Sequence, residues 1–106
     1  MSFSPVHETM LRVAADHPAL PGHFPGRPIV PGVLLLERVI AAAEQWLQRP
    51  LQVASLPQAK FLAPLLPEET AQLHLRIDGG ELRFTLTRNA ETIAQGMLEL
   101  AGGDRA

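Results

Sequence analysis

Three groups in the first third of the chain have the types and spacing to do chemistry together. His23 sits in a run of prolines and glycines, Glu37 follows fourteen residues later, and Gly32 lies between them beside Pro31. Imidazole has an unperturbed pKa of about 6.5, so His23 is largely neutral at physiological pH and able to take a proton. A glutamate held protonated by an apolar setting can donate one; Val33, Leu34 and Leu36 beside Glu37 are the expected source of that setting. A glycine at a helix start offers a backbone N–H that has no partner within the helix, at the positive end of the dipole. Together they make a base, an acid and an anion site.

The surrounding elements must hold these groups in place. Five of the ten prolines (Pro18, Pro21, Pro25, Pro28, Pro31) and three of the eight glycines (Gly22, Gly26, Gly32) fall between positions 18 and 32. Fixed φ and missing amides make this a rigid, irregular loop rather than a flexible linker. Pro31 suits the first position of a helix, and no breaker follows until Pro50, so one long helix is expected from Val33 to Leu47. Leu35, Leu36, Val39, Ile40, Ala43, Trp46 and Leu47 fill most of its circumference; Glu37, Arg38, Glu44, Gln45, Gln48 and Arg49 share one polar arc. A helix so apolar must be wrapped. Residues 70–77 alternate strictly, with Ala71, Leu73, Leu75 and Ile77 on one face. Asp78-Gly79-Gly80 supplies a hairpin turn, and Leu82, Phe84 and Leu86 continue the alternation. After a turn near Asn89-Ala90, a third strand runs to Leu100 with Ala94, Gly96, Leu98 and Leu100 inward; Ala94 and Gly96 are small enough to suggest room beside them. Residues 6–15 and 52–63 are two further strands, the second demoted to an edge or bulge by Pro57. The expectation is an α+β fold, one antiparallel sheet curled around one helix in a single domain over residues 1–106.

Composition narrows the function. At 106 residues there is room for one domain only, and 46% hydrophobic against 19% charged residues give a globular chain. Nine basic against eleven acidic residues, with no basic run, set nucleic acid aside as a partner. The absence of cysteine removes thiolate chemistry and disulfides and fits a reducing compartment. The longest apolar stretch, Ile29 to Leu36, is far below the roughly 18 residues of a membrane span, and MSFSPVHETM does not read as a leader, so a soluble, cytoplasmic protein is expected. A core this apolar in so short a chain points to an oligomer.

The string PGHFPGRPIVPGVLLLE resembles the β-hydroxyacyl thioester dehydratases of the hotdog fold, in which Gly-His-Phe-Pro-Gly precedes a Pro-Gly-Val-Leu helix start and an acidic residue. The match is continuous from Gly22 to Glu37; Ala59-Lys60-Phe61 followed by Pro64 and Pro67 is similar to the family's next strand. The short chain and its Asp16-His17-Pro18-Ala19-Leu20-Pro21 lead-in resemble the dehydratase-like branch found with aryl polyene synthesis. The resemblance implies His23 as base, Glu37 as acid and the Gly32 N–H as oxyanion donor. It also implies the Ile29 carbonyl as orienter of the imidazole, with Phe24, Pro25, Gly26 and Val33 against the substrate. The acyl group would ride on acyl carrier protein or coenzyme A, and no metal or redox cofactor is needed. A homodimer or an assembly of dimers would pair the histidine of one subunit with the acid of the other.

Three departures stand beside the match: Ala41 where glutamine is usual one turn after the acid, Leu62-Ala63 where basic residues often follow, and Pro67-Glu68-Glu69 for a Pro-Gly-Asp turn. Blander readings exist for each residue. Glu37 is a solvated charge by its helical arc alone, His23 a brace for its loop, His17 and His74 surface residues, and Trp46 and Phe84 core. Arg27, Arg38, Arg49 and Lys60 are solvating charges or a docking patch for an acidic carrier. Two alternatives to the dehydratase remain: a non-catalytic acyl-binding partner subunit of a larger dehydratase, and a hotdog thioesterase, which would release free thiol.

Overall fold

The alternation of residues 71–77 becomes burial in the computed structural model, which describes residues 5–16 and 29–101: Ala71, Leu73, Leu75 and Ile77 are each at most 2% exposed, while Gln72 and Arg76 face solvent. The elements in chain order are β1 (Val6–Leu11), α1 (Gly32–Leu47), β2 (Val53–Phe61), β3 (Ala71–Asp78), β4 (Glu81–Arg88) and β5 (Glu91–Leu100). All neighbouring strands are antiparallel, in the order β1-β3-β4-β5-β2. This is the single helix wrapped by one curled sheet that the periodicity calls for, the hotdog arrangement. Leu34, Leu35, Val39 and Ala43 of α1 share the core with the inward residues of β3, β4 and β5.

The turns follow their sequence chemistry. Gly79 takes a φ of 63° between β3 and β4, and Asn89 and Ala90 take 52° and 66° between β4 and β5. Two consecutive left-handed residues are what a two-residue hairpin with the sheet's twist requires. Pro57 lies in an edge strand, and β2 shifts register against β5 on both sides of Ser55. Two boundaries differ from expectation. Pro31 is the N-cap of α1 (φ −62°, ψ 146°), not its first residue, because the proline ring fixes φ but leaves ψ free to stay extended. The strand expected over residues 6–15 ends at Leu11, which pairs with Ala71, the first residue of β3, so the ladder with β3 stops there.

One loop departs from its usual chemistry and compensates. Glu68 adopts a φ of 70°, a left-handed conformation that glycine takes without cost. Its carboxylate forms an ion pair with Arg12 and accepts the Ala15 N–H at 2.7 Å, while its own N–H donates to the Val13 carbonyl at 2.8 Å. The glutamate thus stitches the chain after β1 to the segment before β3. Beside it, Glu69 accepts the Leu66 N–H at 2.9 Å and Arg88 Nη1 at 2.8 Å, and the same Arg88 nitrogen donates to the Pro64 carbonyl at 2.7 Å. The Leu66 hydrogen bond, reinforced by Arg88, holds the Glu69 carboxyl below its ordinary pKa.

Candidate active site

The helix start is assembled from three segments. Val30 donates its N–H to the Leu65 carbonyl at 2.9 Å, tying the chain before α1 to the loop that Arg88 and Glu69 brace. Leu34 and Leu35 N–H groups both reach the Pro31 carbonyl, at 3.0 and 3.1 Å, closing the first turn. Gly32 is the first helical residue, and its N–H finds no acceptor among the described residues. Gly32 borders a cavity of about 320 Å³ that is also lined by Ile29, Val30, Pro31, Leu35, Phe61 and residues 62–65, none of these described residues being charged. An unpartnered donor at the positive end of a helix, in an apolar recess, is arranged to receive developing negative charge.

The other expected site residues fall as follows. Ile29 is half-buried and lines the same cavity as Gly32. Val33 is 67% exposed and stands one turn before Glu37, which is itself exposed. Among the described residues the apolar neighbours expected to cover Glu37 are turned away from it: Leu34 is buried in the core at 4% exposure and Leu36 packs against that core. Glu37 lies about 7.5 Å along the axis from Gly32 and about 140° around it. His23, Phe24, Pro25 and Gly26 lie outside the described residues, as do His17 and Arg27.

The room expected at Gly96 is already filled. A Cβ there would meet the Gln58 carbonyl oxygen at 2.5 Å and the Phe84 ring at 2.8 Å. Gly96 lets β2 and the core ring of Phe84 approach β5 closely. The residues that sequence reasoning left without a role are Phe61, which packs on Gly32, and the Glu68, Glu69 and Arg88 set that braces the loop. Only long-range contact reveals them, although the departure at Pro67-Glu68-Glu69 was a local signal. His74 behaves as a surface residue, with Nδ1 3.6 Å from Glu8 and Nε2 3.4 Å from the Thr87 hydroxyl across the outer sheet face. The larger concavity of about 790 Å³ on that face, lined among others by His74, Arg76, Arg83 and Met97, contains neither Gly32 nor Glu37.

Residues 4–97 match the ApeI-like dehydratase family, a span that takes in the helix start, Glu37 and all five strands up to Met97. The chain belongs to that family. A solved structure described as the dehydratase heterocomplex ApeI:P from Xenorhabdus doucetiae superposes with a TM-score of 0.81 at 28% identity, covering 90% of this chain and 86% of that one. Among curated relatives, the 3-hydroxyacyl-[acyl-carrier-protein] dehydratase FabZ of Herpetosiphon aurantiacus is 28% identical over 101 residues, 84% of this chain and 72% of its own length. The enzyme of the same name from Haemophilus influenzae strain PittEE is 32% identical over 73 residues, 61% of this chain and 49% of its own. The chain therefore spans about half the length of some curated relatives it matches. Membership in the ApeI-like dehydratases places it among hydro-lyases of the hotdog fold.

Proposed function

We propose that the protein removes water from a 3-hydroxyacyl group carried as a thioester on acyl carrier protein, giving the trans-2-enoyl thioester. The observation that carries the reading is Gly32 as first helical residue, its N–H without an acceptor among the described residues and the residue itself bordering an apolar cavity, within the family match over residues 4–97. His23 takes the proton between the carbonyl and the hydroxyl-bearing carbon; the electron pair moves toward the thioester oxygen, which the Gly32 N–H stabilises. The pair then returns to form the double bond as the C–O bond breaks, and Glu37 gives its proton to the departing hydroxide. Water and an intact thioester leave, and proton exchange with solvent resets both side chains. No metal or redox group takes part. Ile29 orients the imidazole through its carbonyl, while Phe24, Pro25, Gly26 and Val33 contact the substrate.

The site is completed by a second copy of this chain, in a homodimer or an assembly of dimers. Two features support this: Glu37 is exposed, and the edge strand β2 exposes Val53, Leu56 and Phe61 at 38–48%. An unpaired edge carrying large apolar side chains is prone to pair with another chain. The carrier protein reading follows the names of the FabZ relatives. No helix among the described residues is long and apolar enough to cross a membrane, and the reaction belongs in the cytoplasm, where acyl carriers are loaded.

The test is incubation with 3-hydroxyacyl and 2-enoyl thioesters on acyl carrier protein and on coenzyme A, read by mass spectrometry beside His23→Ala and Glu37→Gln and repeated across a dilution series. The expected result is gain or loss of one water, reduced at least about 100-fold in each variant and lost on dilution together with the dimer. Release of free thiol would indicate a thioesterase, and no turnover without a second protein would indicate a partner subunit. Either result overturns the proposal.

A further inference from the structure

The contact between Phe61 and Gly32 has a role of its own. A Cβ built on Gly32 would lie 3.0 Å from Cζ of Phe61, 3.1 Å from Cε2 and 3.3 Å from Cε1. Approach to the ring edge at Cζ would leave the two Cε atoms much farther away than Cζ. The three similar distances therefore place the Cα–H of Gly32 over the ring face near its tip. Phe61 is the last residue of β2, is 48% exposed, and lines the same cavity as Gly32. A core aromatic would be buried; this ring instead spends its covered face on a backbone with no side chain. Any residue other than glycine at position 32 would push the ring away.

We infer that Phe61 is a positioning residue for the oxyanion donor: its ring fixes the first turn of α1 and keeps water off the side of the Gly32 peptide next to the reacting thioester. This rests on the dehydratase reading and deepens it. A hydrogen bond to developing charge gains most when the donor is already aimed and is not competing with water. Phe61 touches the peptide that donates, so it acts through Gly32 rather than on the reacting atoms. Its effect belongs to the transition state, where the thioester oxygen carries charge, and hence to kcat more than to KM.

The experiment uses the full chain, its Phe61→Leu and Phe61→Tyr variants, and two readouts. The first is the Gly32 Hα chemical shift, which the ring current moves upfield in the wild-type protein and Phe61→Leu returns toward the ordinary glycine range. The second is hydration of a 2-enoyl thioester, where Phe61→Leu is expected to lower kcat about tenfold or more with KM changed less than about threefold, and Phe61→Tyr to restore it. Thermal unfolding by circular dichroism confirms that the variants fold. A wild-type Gly32 Hα without an upfield shift, or Phe61→Leu with wild-type kcat, overturns the role of Phe61 and leaves the dehydratase reading standing. A wild-type protein that hydrates no thioester while the shift is present sinks the dehydratase reading and takes this role with it.

Discussion

Replacing Gly96 with alanine puts a methyl where the sheet has none to spare. The new Cβ would sit 2.5 Å from the Gln58 carbonyl oxygen and 2.8 Å from Cε1 and Cζ of Phe84, against ordinary carbon contacts of about 3.5–4.0 Å. Something must move by nearly 1 Å. Gln58 is backbone, paired with Met97 in the β2–β5 ladder, and Phe84 is 3% exposed within the core, so neither yields without disturbing its neighbours. Overpacking of this kind costs about 1–3 kcal/mol, and a backbone atom on one side argues for the upper end. The lower chain entropy of alanine in the unfolded state returns about 0.4–1 kcal/mol. A net loss of about 2 kcal/mol is expected, or a melting point lower by about 10 °C for a domain of this size. Urea and thermal unfolding measure it. Combining Gly96→Ala with Phe84→Leu should cost at least about 0.5 kcal/mol less than the sum of the two, because the smaller side chain relieves one of the two collisions. A Gly96→Ala protein melting within about 2 °C of wild type, or strict additivity in the cycle, would refute the reasoning.

Two other outcomes follow from the same geometry. Ala90 holds a φ of 66° in the β4–β5 turn, where a Cβ costs roughly 1–2 kcal/mol and glycine's extra chain entropy about 0.5–1 kcal/mol, so Ala90→Gly should stabilise by about 0.5 kcal/mol; a lower melting point would contradict this. Glu69 has a folded-state pKa below its unfolded one, so its contribution is fully present above the unfolded value and is lost as pH falls through the folded value. Unfolding free energies of wild type and Glu69→Gln, measured across the acid range, should therefore converge toward low pH, and a gap that stays constant with pH would count against the Leu66 and Arg88 contacts as its cause.

Much of the fold was legible because local chemistry and tertiary demand agree here. The period-two runs of β3 and β4 face a helix that needs cover, Asp78-Gly79-Gly80 allows only a turn, and Pro57 belongs at an edge. Where the expectation slipped, the missing information was a partner: β1 ends where β3 begins to pair, and Pro31 caps α1 because nothing in its ring decides ψ. The site was legible as a motif from Gly22 to Glu37 and as a helix start at Gly32. The surroundings of Glu37 and the filled space at Gly96 were not, since each depends on which residues distant in sequence arrive beside them. Glu68 is the instructive case. A residue poorly suited to left-handed backbone is retained there by giving its carboxylate to Arg12 and the Ala15 N–H.

The stack of His7 on Trp46 gives the molecule an optical property. The rings are nearly parallel, 9° apart, with centroids separated by 5.1 Å, and they join β1 to the C-terminal half of α1. The chain has one tryptophan and no tyrosine, so its near-ultraviolet emission reports on this seam alone. Fluorescence therefore watches the edge strand leave the helix, while circular dichroism watches the whole sheet. If the two signals separate during unfolding, β1 is a detachable flap of the wrapper; if they coincide, the sheet holds its helix as one cooperative body.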